Sequence, residues 1–268
     1  MGFRHLSSGE NEAIFFEEKN ILQVKNYWTK ERMKNALPMV IELKPEHPIE
    51  KNNNNLGGKV IPVEVRTEPY KAGGKLFFTR EGNDYVATAE FCGEKNLILT
   101  AAHCLRNKET GEWSDNVLFQ LEYDSGWSAK IYPISTLALK TMWYKEKNYR
   151  WDYGFGVISK KNQGDFCLDY DLNVSTGETT AFGYPSNYYE GHRMVSVTDK
   201  VEDLYSNGIL KMAGNNMGGG CSGGAWVKKG TNTVISLNSF SYVGIDDVEY
   251  GPKFDEKFEN LVQYVKTL

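Results

Sequence analysis

From Val63 onward the hydrophobic residues come in short runs broken by glycine, asparagine, aspartate and serine: KLFFT, DYVATAEF, NLILTAA, NVLFQLEY, AKIYPIST, YGFGVIS, TTAFGYP, RMVSVTDKVE, GILKMA, GAWVKK and NTVISLNSFSYV. Valine, isoleucine, threonine, tyrosine and phenylalanine dominate them, the side chains that suit a pleated, half-buried surface. Many such runs with no helical period between them predict an all-β sandwich or barrel and exclude an alternating α/β chain. The period changes only at the C-terminus. There Phe254, Phe258, Leu261, Val262, Val265 and Leu268 follow helical spacing just after Pro252, which predicts a terminal helix packed on the β-rich body.

The first 65 residues have a different texture. VKNYWTKERMKNALPMVIEL mixes aromatic and apolar residues with charge, and EKNNNNLGGK follows as a turn or linker. The pattern divides the chain into an N-terminal extension, residues 1–65, and a β domain, residues 66–268, itself divided near 155–165. Exposed strips of this composition are where proteolysis concentrates, so any cut is expected to fall near Asn52 to Gly58.

Charge and composition narrow the function classes. With 31 basic and 35 acidic residues the net charge is -4, so neither nucleic acid nor an anionic membrane is an implied partner. No apolar run approaches the roughly 20 residues that span a bilayer. MGFRHLSSGENEAIFFEEKN has no apolar core of a secretory signal, so the protein is expected to be secreted if a signal has been removed and cytoplasmic otherwise. The chain is expected to act as a monomer. The scattered histidines and the spacing of Cys92, Cys104, Cys167 and Cys221 suggest no metal site. A hairpin would bring Cys92 and Cys104 together, so a disulfide is expected there; Cys221 either pairs with Cys167 or stays a buried thiol.

Three segments carry candidate chemistry. LILTAAHCL presents His103 at the end of an apolar strand, RWDYGFGVI places Asp152 at the head of another, and GGGCSGGAW sets Ser222 in a run of glycines. A nucleophilic serine needs its hydroxyl offered to a carbonyl while nearby backbone N–H groups face the developing oxyanion, and glycines permit the close approach and unusual backbone angles this requires. Each segment alone has an ordinary reading: a structural histidine, a capping aspartate, a glycine turn.

Together, TAAHC, the Trp-Asp-Tyr at the head of a strand, and GCSGG in the order His, Asp, Ser resemble the trypsin and chymotrypsin class of serine proteases. KLFF, GYP, NNMGGGCSGGAW and VISLNSF are similar to its bacterial and fungal trypsin-like and glutamyl-endopeptidase-like branch, and WTKERMKNALP resembles the propeptide of secreted members. The resemblance implies two six-stranded antiparallel β-barrels, a C-terminal helix and an N-terminal extension. It implies a serine endopeptidase acting on a protein or peptide substrate without a cofactor. Ser222 would be the nucleophile, His103 the general base and Asp152 its orienting acid, with the Gly220 and Ser222 amides as oxyanion hole.

Departures from the pattern leave the trigger and the specificity open. Cys221 stands where animal digestive relatives carry the aspartate that receives a newly cut N-terminus, so that ion pair is unavailable. The extension is therefore either a propeptide whose removal uncovers the cleft, as in a zymogen, or a permanent part of the fold. Asn216 replaces the acid of trypsin-like pockets, and Asn238 with Ser239 replaces the histidine and serine of glutamate-specific ones. Asn216, Asn238, Ser239 and Ser241 are the expected lining of a neutral polar pocket. Asp246, Asp247 and Glu249 read as a solvated loop, the alternative being an attraction for lysine or arginine. The competing functions are a catalytically silent binding or regulatory module and an esterase.

Overall fold

The computed structural model describes residues 3–45, 58–159, 164–174, 177–204 and 207–268, so the expected cut region lies outside the described residues apart from Gly58. The extension supplies β1 (Phe3–Ser7), β2 (Asn11–Phe16), α1 (Glu18–Tyr27), α2 (Lys30–Asn35), and three two-residue strands, β3 (Leu37–Pro38), β4 (Glu42–Leu43) and β5 (Ile61–Pro62). The first part of the β domain holds β6 (Gly73–Arg80), β7 (Asn83–Phe91), β8 (Leu97–Thr100), α3 (Ala102–Leu105), β9 (Asp115–Leu121), β10 (Lys130–Pro133), β11 (Thr136–Lys140), α4 (Thr141–Lys145) and β12 (Gly154–Val157). The second holds β13 (Asp169–Tyr170), β14 (Glu178–Gly183), β15 (Val195–Asp203), β16 (Ile209–Ala213), β17 (Ala225–Lys228), β18 (Thr233–Leu237), β19 (Ser241–Tyr242), β20 (Val248–Pro252) and α5 (Glu256–Lys266).

Two large sheets and a two-stranded one, β4 with β19, form among the described residues, as the β-type runs predict, with the C-terminal helix in place. In the first, hydrogen bonding follows the order β1-β2-β11-β12-β8-β7-β6-β9-β10; in the second it follows β13-β18-β17-β14-β15-β16-β20. Two large β sheets and a C-terminal helix stand where the two antiparallel barrels are expected, with the hydrogen-bonding path of each sheet left open rather than closed on itself. Part of the reason is the extension, since β2 lies antiparallel on β11 with Ala13 opposite Ala138 and β1 extends the ladder further. Ala13 and Ile14 are 0% exposed. Glu12 is buried beside them and paired with Arg106.

Of the two helices of the extension, α1 packs against β9 and β10 and α2 against β7. Val24 and Trp28 join Phe77, Val86 and Leu118 in one apolar cluster, and the Trp28 indole donates to the Asn116 carbonyl at 2.6 Å. Thr29 caps α2 by accepting from the Arg32 amide. At the other end of the chain, α5 buries Phe258, Leu261, Val262 and Val265, with Asp255 capping it through the amides of Lys257 and Phe258. Side chains of this kind contribute roughly 1.5–3 kcal/mol each when buried.

Candidate active site

His103 sits in α3, immediately after β8 delivers the chain out of the first sheet. Asp152 follows a short turn over Tyr149–Trp151 that Asn148 caps through the Arg150 amide, and it is fully buried. The two elements meet through paired hydrogen bonds: Asp152 Oδ1 accepts from the His103 amide at 2.7 Å, and Oδ2 lies 2.7 Å from His103 Nδ1. Ser239 completes the carboxylate, its hydroxyl donating to Oδ2 at 2.5 Å. Arg80 donates to the His103 carbonyl at 2.6 Å. Burial favours the neutral imidazole, but the Asp152 charge and hydrogen bond outweigh it and push the ring up to about 10.

Ser222 is delivered by the loop before β17, where the glycines have steric reasons. Gly220 and Gly223 adopt φ of +97° and +87°; a Cβ on Gly223 would stand 2.1 Å from Thr100 Oγ1, and one on Gly224 would stand 2.1 Å from the Phe182 carbonyl oxygen. The loop thus lies against the last residues of β8, just before His103. Thr88 fastens it, with its amide donating to the Ser222 carbonyl and its hydroxyl to the Gly220 carbonyl. Asn238 braces the other side, donating to the carbonyls of Phe182 and Cys221 and accepting from the Trp226 indole.

A segment of the extension lies across this centre. Leu37–Pro38 pairs with Tyr85–Val86 of β7, and Glu42–Leu43 pairs with Ser241–Tyr242, both in parallel. Between them the Met39 carbonyl accepts the Gly220 amide at 2.7 Å and the Ser222 hydroxyl at 3.3 Å. His103 Nε2 is buried without a hydrogen-bond partner among the described residues.

Beside the Ser222 loop is a cavity of about 340 Å³, bordered by Asn216, Met217, Gly218, Ser241 and Glu249. Asn216 and Ser241 therefore line it, whereas Asn238 and Ser239 are buried among the supports of the loop and of Asp152. Asp246 and Asp247 also border the cavity. Glu249 is corrected from a solvated loop residue: it lies in β20 and is 5% exposed. Burial pushes its carboxyl well above the usual range, against the opposing pull of His103 and a hydrogen bond from the Ser239 backbone.

The cysteines overturn another expectation, because all four are free thiols. The β7-β8 ladder sets the Cys92 amide on the Leu97 carbonyl, while Cys104 lies beyond the end of β8 in α3, so hairpin pairing does not bring the two together. Cys221 is buried in the second sheet's core, its thiol directed to the Met217 carbonyl at 3.6 Å, rather than bridged to Cys167. Ser239 as partner of Asp152, Thr88 as fastener and Met39 as occupant were not anticipated. The available signals were VISLNSF for Ser239 and the apolar run around Met39.

No protein-family model and no curated protein sequence matches the chain. Solved structures do. The thermostable serine protease AL20 from an extremophilic microorganism is 26% identical with a TM-score of 0.67, covering 74% of this chain and 97% of its own. The protease Anisep from Arthrobacter nicotinovorans is 25% identical with a TM-score of 0.66, covering 74% and 96%. A scabies mite inactivated protease paralogue, 16% identical with a TM-score of 0.60 over 77% and 98%, shares the fold. With its two sheets, its terminal helix and these neighbours, the chain has the chymotrypsin-like fold of the serine proteases.

Proposed function

We propose that the protein is a serine endopeptidase. The observation that carries this reading is the seat of Met39: an extended peptide lies between two strand edges with its carbonyl oxygen on the Gly220 amide and its carbonyl facing Ser222. Ser222 attacks such a carbonyl in a substrate, and His103 takes its proton and later gives it to the leaving amine. Asp152, held by Ser239, fixes the ring tautomer and stabilises its charged form. The Gly220 and Ser222 amides stabilise the oxyanion; in this class of enzyme losing one such donor costs roughly 3–4 kcal/mol. An intact set of His103, Asp152 and Ser222 argues against the silent alternative.

The pocket chemistry favours lysine or arginine on the acyl side of the cut bond. Glu249, Asp246 and Asp247 border the cavity, no basic side chain does among the described residues, and a cationic guest supplies the charge that lets a buried carboxyl ionise. Asn216 and Ser241 offer neutral polar contacts beside it.

The test is Ser222→Ala. Fluorophosphonate labelling should vanish and casein cleavage should fall by about 10⁶-fold while the fold persists. A wild-type chain that takes no label before or after limited proteolysis overturns the reading. A panel of fluorogenic peptides differing at the acyl-side residue tests the pocket: arginine and lysine should lead, with Glu249→Gln lowering kcat/KM for them by about 100-fold, and a preference for glutamate would sink the basic assignment.

A further inference from the structure

We infer that residues 37–43 are an autoinhibitory strap, held in the cleft by main-chain hydrogen bonds and uncoupling Ser222 from His103 as well as blocking access. The inference rests on the endopeptidase reading and adds its regulation.

The strap is fastened at both edges of the cleft. On one side the Met39 amide donates to the Val86 carbonyl at 2.8 Å; on the other the Ser241 and Val243 amides donate to the carbonyls of Ile41 and Leu43 at 3.0 and 2.9 Å. The Gly220 amide, a donor meant for the developing oxyanion, is taken by Met39. These are the groups an incoming peptide would need, so strap and substrate are mutually exclusive. Pro38 and Val40 lie over the glycines of the nucleophile loop, where a Cβ on Gly219 would stand 3.0 Å from the Val40 Cβ.

The strap is also an unproductive occupant. Attack requires the Ser222 hydroxyl to pass its proton to His103 Nε2 while its oxygen approaches the carbonyl carbon. Here the hydroxyl donates to the Met39 oxygen, and Nε2 has no partner among the described residues. The segment runs parallel to both edges, so a peptide bound antiparallel would present its amides and carbonyls along the cleft in the reverse order.

Anchoring explains how a short segment holds this place. Ala36, next to the strap, is buried in the cluster of Val24, Trp28 and Phe77, which fixes its start against β7. The occupant is thereby intramolecular, and its effective concentration is that of a short tether.

The experiment replaces residues 37–43 with a glycine-serine segment of equal length in the full chain, keeping 3–36 intact, and compares two readouts with the wild type. Ser222 labelling by a fluorophosphonate should accelerate by about 100-fold, the scale expected when several net-favourable hydrogen bonds stop competing. Amide hydrogen exchange at Gly220, Ser241 and Val243 should quicken. A synthetic peptide of residues 36–45 added in trans should slow labelling of the replaced chain again. Equal labelling and equal exchange in the two chains overturn the strap. Faster exchange with no labelling in either chain overturns the catalytic reading, and autoinhibition with it, while leaving the strap as the occupant of a binding cleft.

Discussion

Two parts of one N-terminal extension are built on opposite principles. The β1-β2 hairpin is held by its side chains: Ala13 and Ile14 are fully buried, Phe16 joins the main core, and Glu12 pairs with Arg106 beneath the surface. Residues 37–43 are held chiefly by their backbone. Leu37 and Val40 are 51% and 48% exposed although the amides and carbonyls around them are engaged. Met39, buried at Ser222, and Ile41 and Leu43, partly buried against Phe240, Val248 and Tyr250, are the exceptions. A region that contributes apolar burial cannot leave without opening the core; one that contributes hydrogen bonds is replaceable by another peptide.

The largest effect that could break this contrast is deletion of residues 3–16. It uncovers the β11 edge, where Leu137, Ala138 and Leu139 are fully buried, and the shortened chain should fail to fold cooperatively or melt far below the full chain in thermal unfolding. Full retention of the melting temperature would place the hairpin in the same class as the strap. Next comes Ile14→Ala, expected to cost about 2–5 kcal/mol in denaturant unfolding with the Ser222 labelling rate unchanged.

Stability against pH gives the third test, and it sharpens the contrast at the His103–Asp152 pair. His103 is raised in the folded chain, so its contribution is fully present below about 6.5, the ordinary histidine value, and is lost as pH rises through about 10. The melting temperature should therefore decline between those limits, and Asp152→Asn should flatten the decline. An unchanged slope in the variant would deny the pairing its role. The smallest effects are expected at the strap's exposed side chains. Leu37→Ala and Val40→Ala should each change stability by no more than about 0.5 kcal/mol, and a loss of several kcal/mol would show that side chains hold the strap after all.

Much of this was legible in local sequence, because the relevant signals are short. The glycines around Ser222, the β-type runs and the apolar spacing from Phe254 to Leu268 each reflect steric or burial demands met within a few residues. What was not legible depends on distant partners. The hairpin had its own turn in SSGEN, with Gly9 at φ +80°, but nothing local marks β11 as the strand that β2 covers. Glu249 reads as solvated because burying an acid is costly, and its place on β20 facing the cavity emerges only when β16 and β20 pair. The expected Cys92–Cys104 bridge failed on register: adjacency of strands does not place a residue beyond the end of one of them opposite a residue on the other.

The tethering of Met39 to the chain it occupies has a consequence for dosage. On the proposed autoinhibition the ratio of strap to Ser222 is one to one at every level of expression, so no excess of uninhibited protein can arise from unequal synthesis, and dilution leaves the proposed silent state unchanged. A separate inhibitor protein would have to be matched in amount; here stoichiometry is settled when the chain is made.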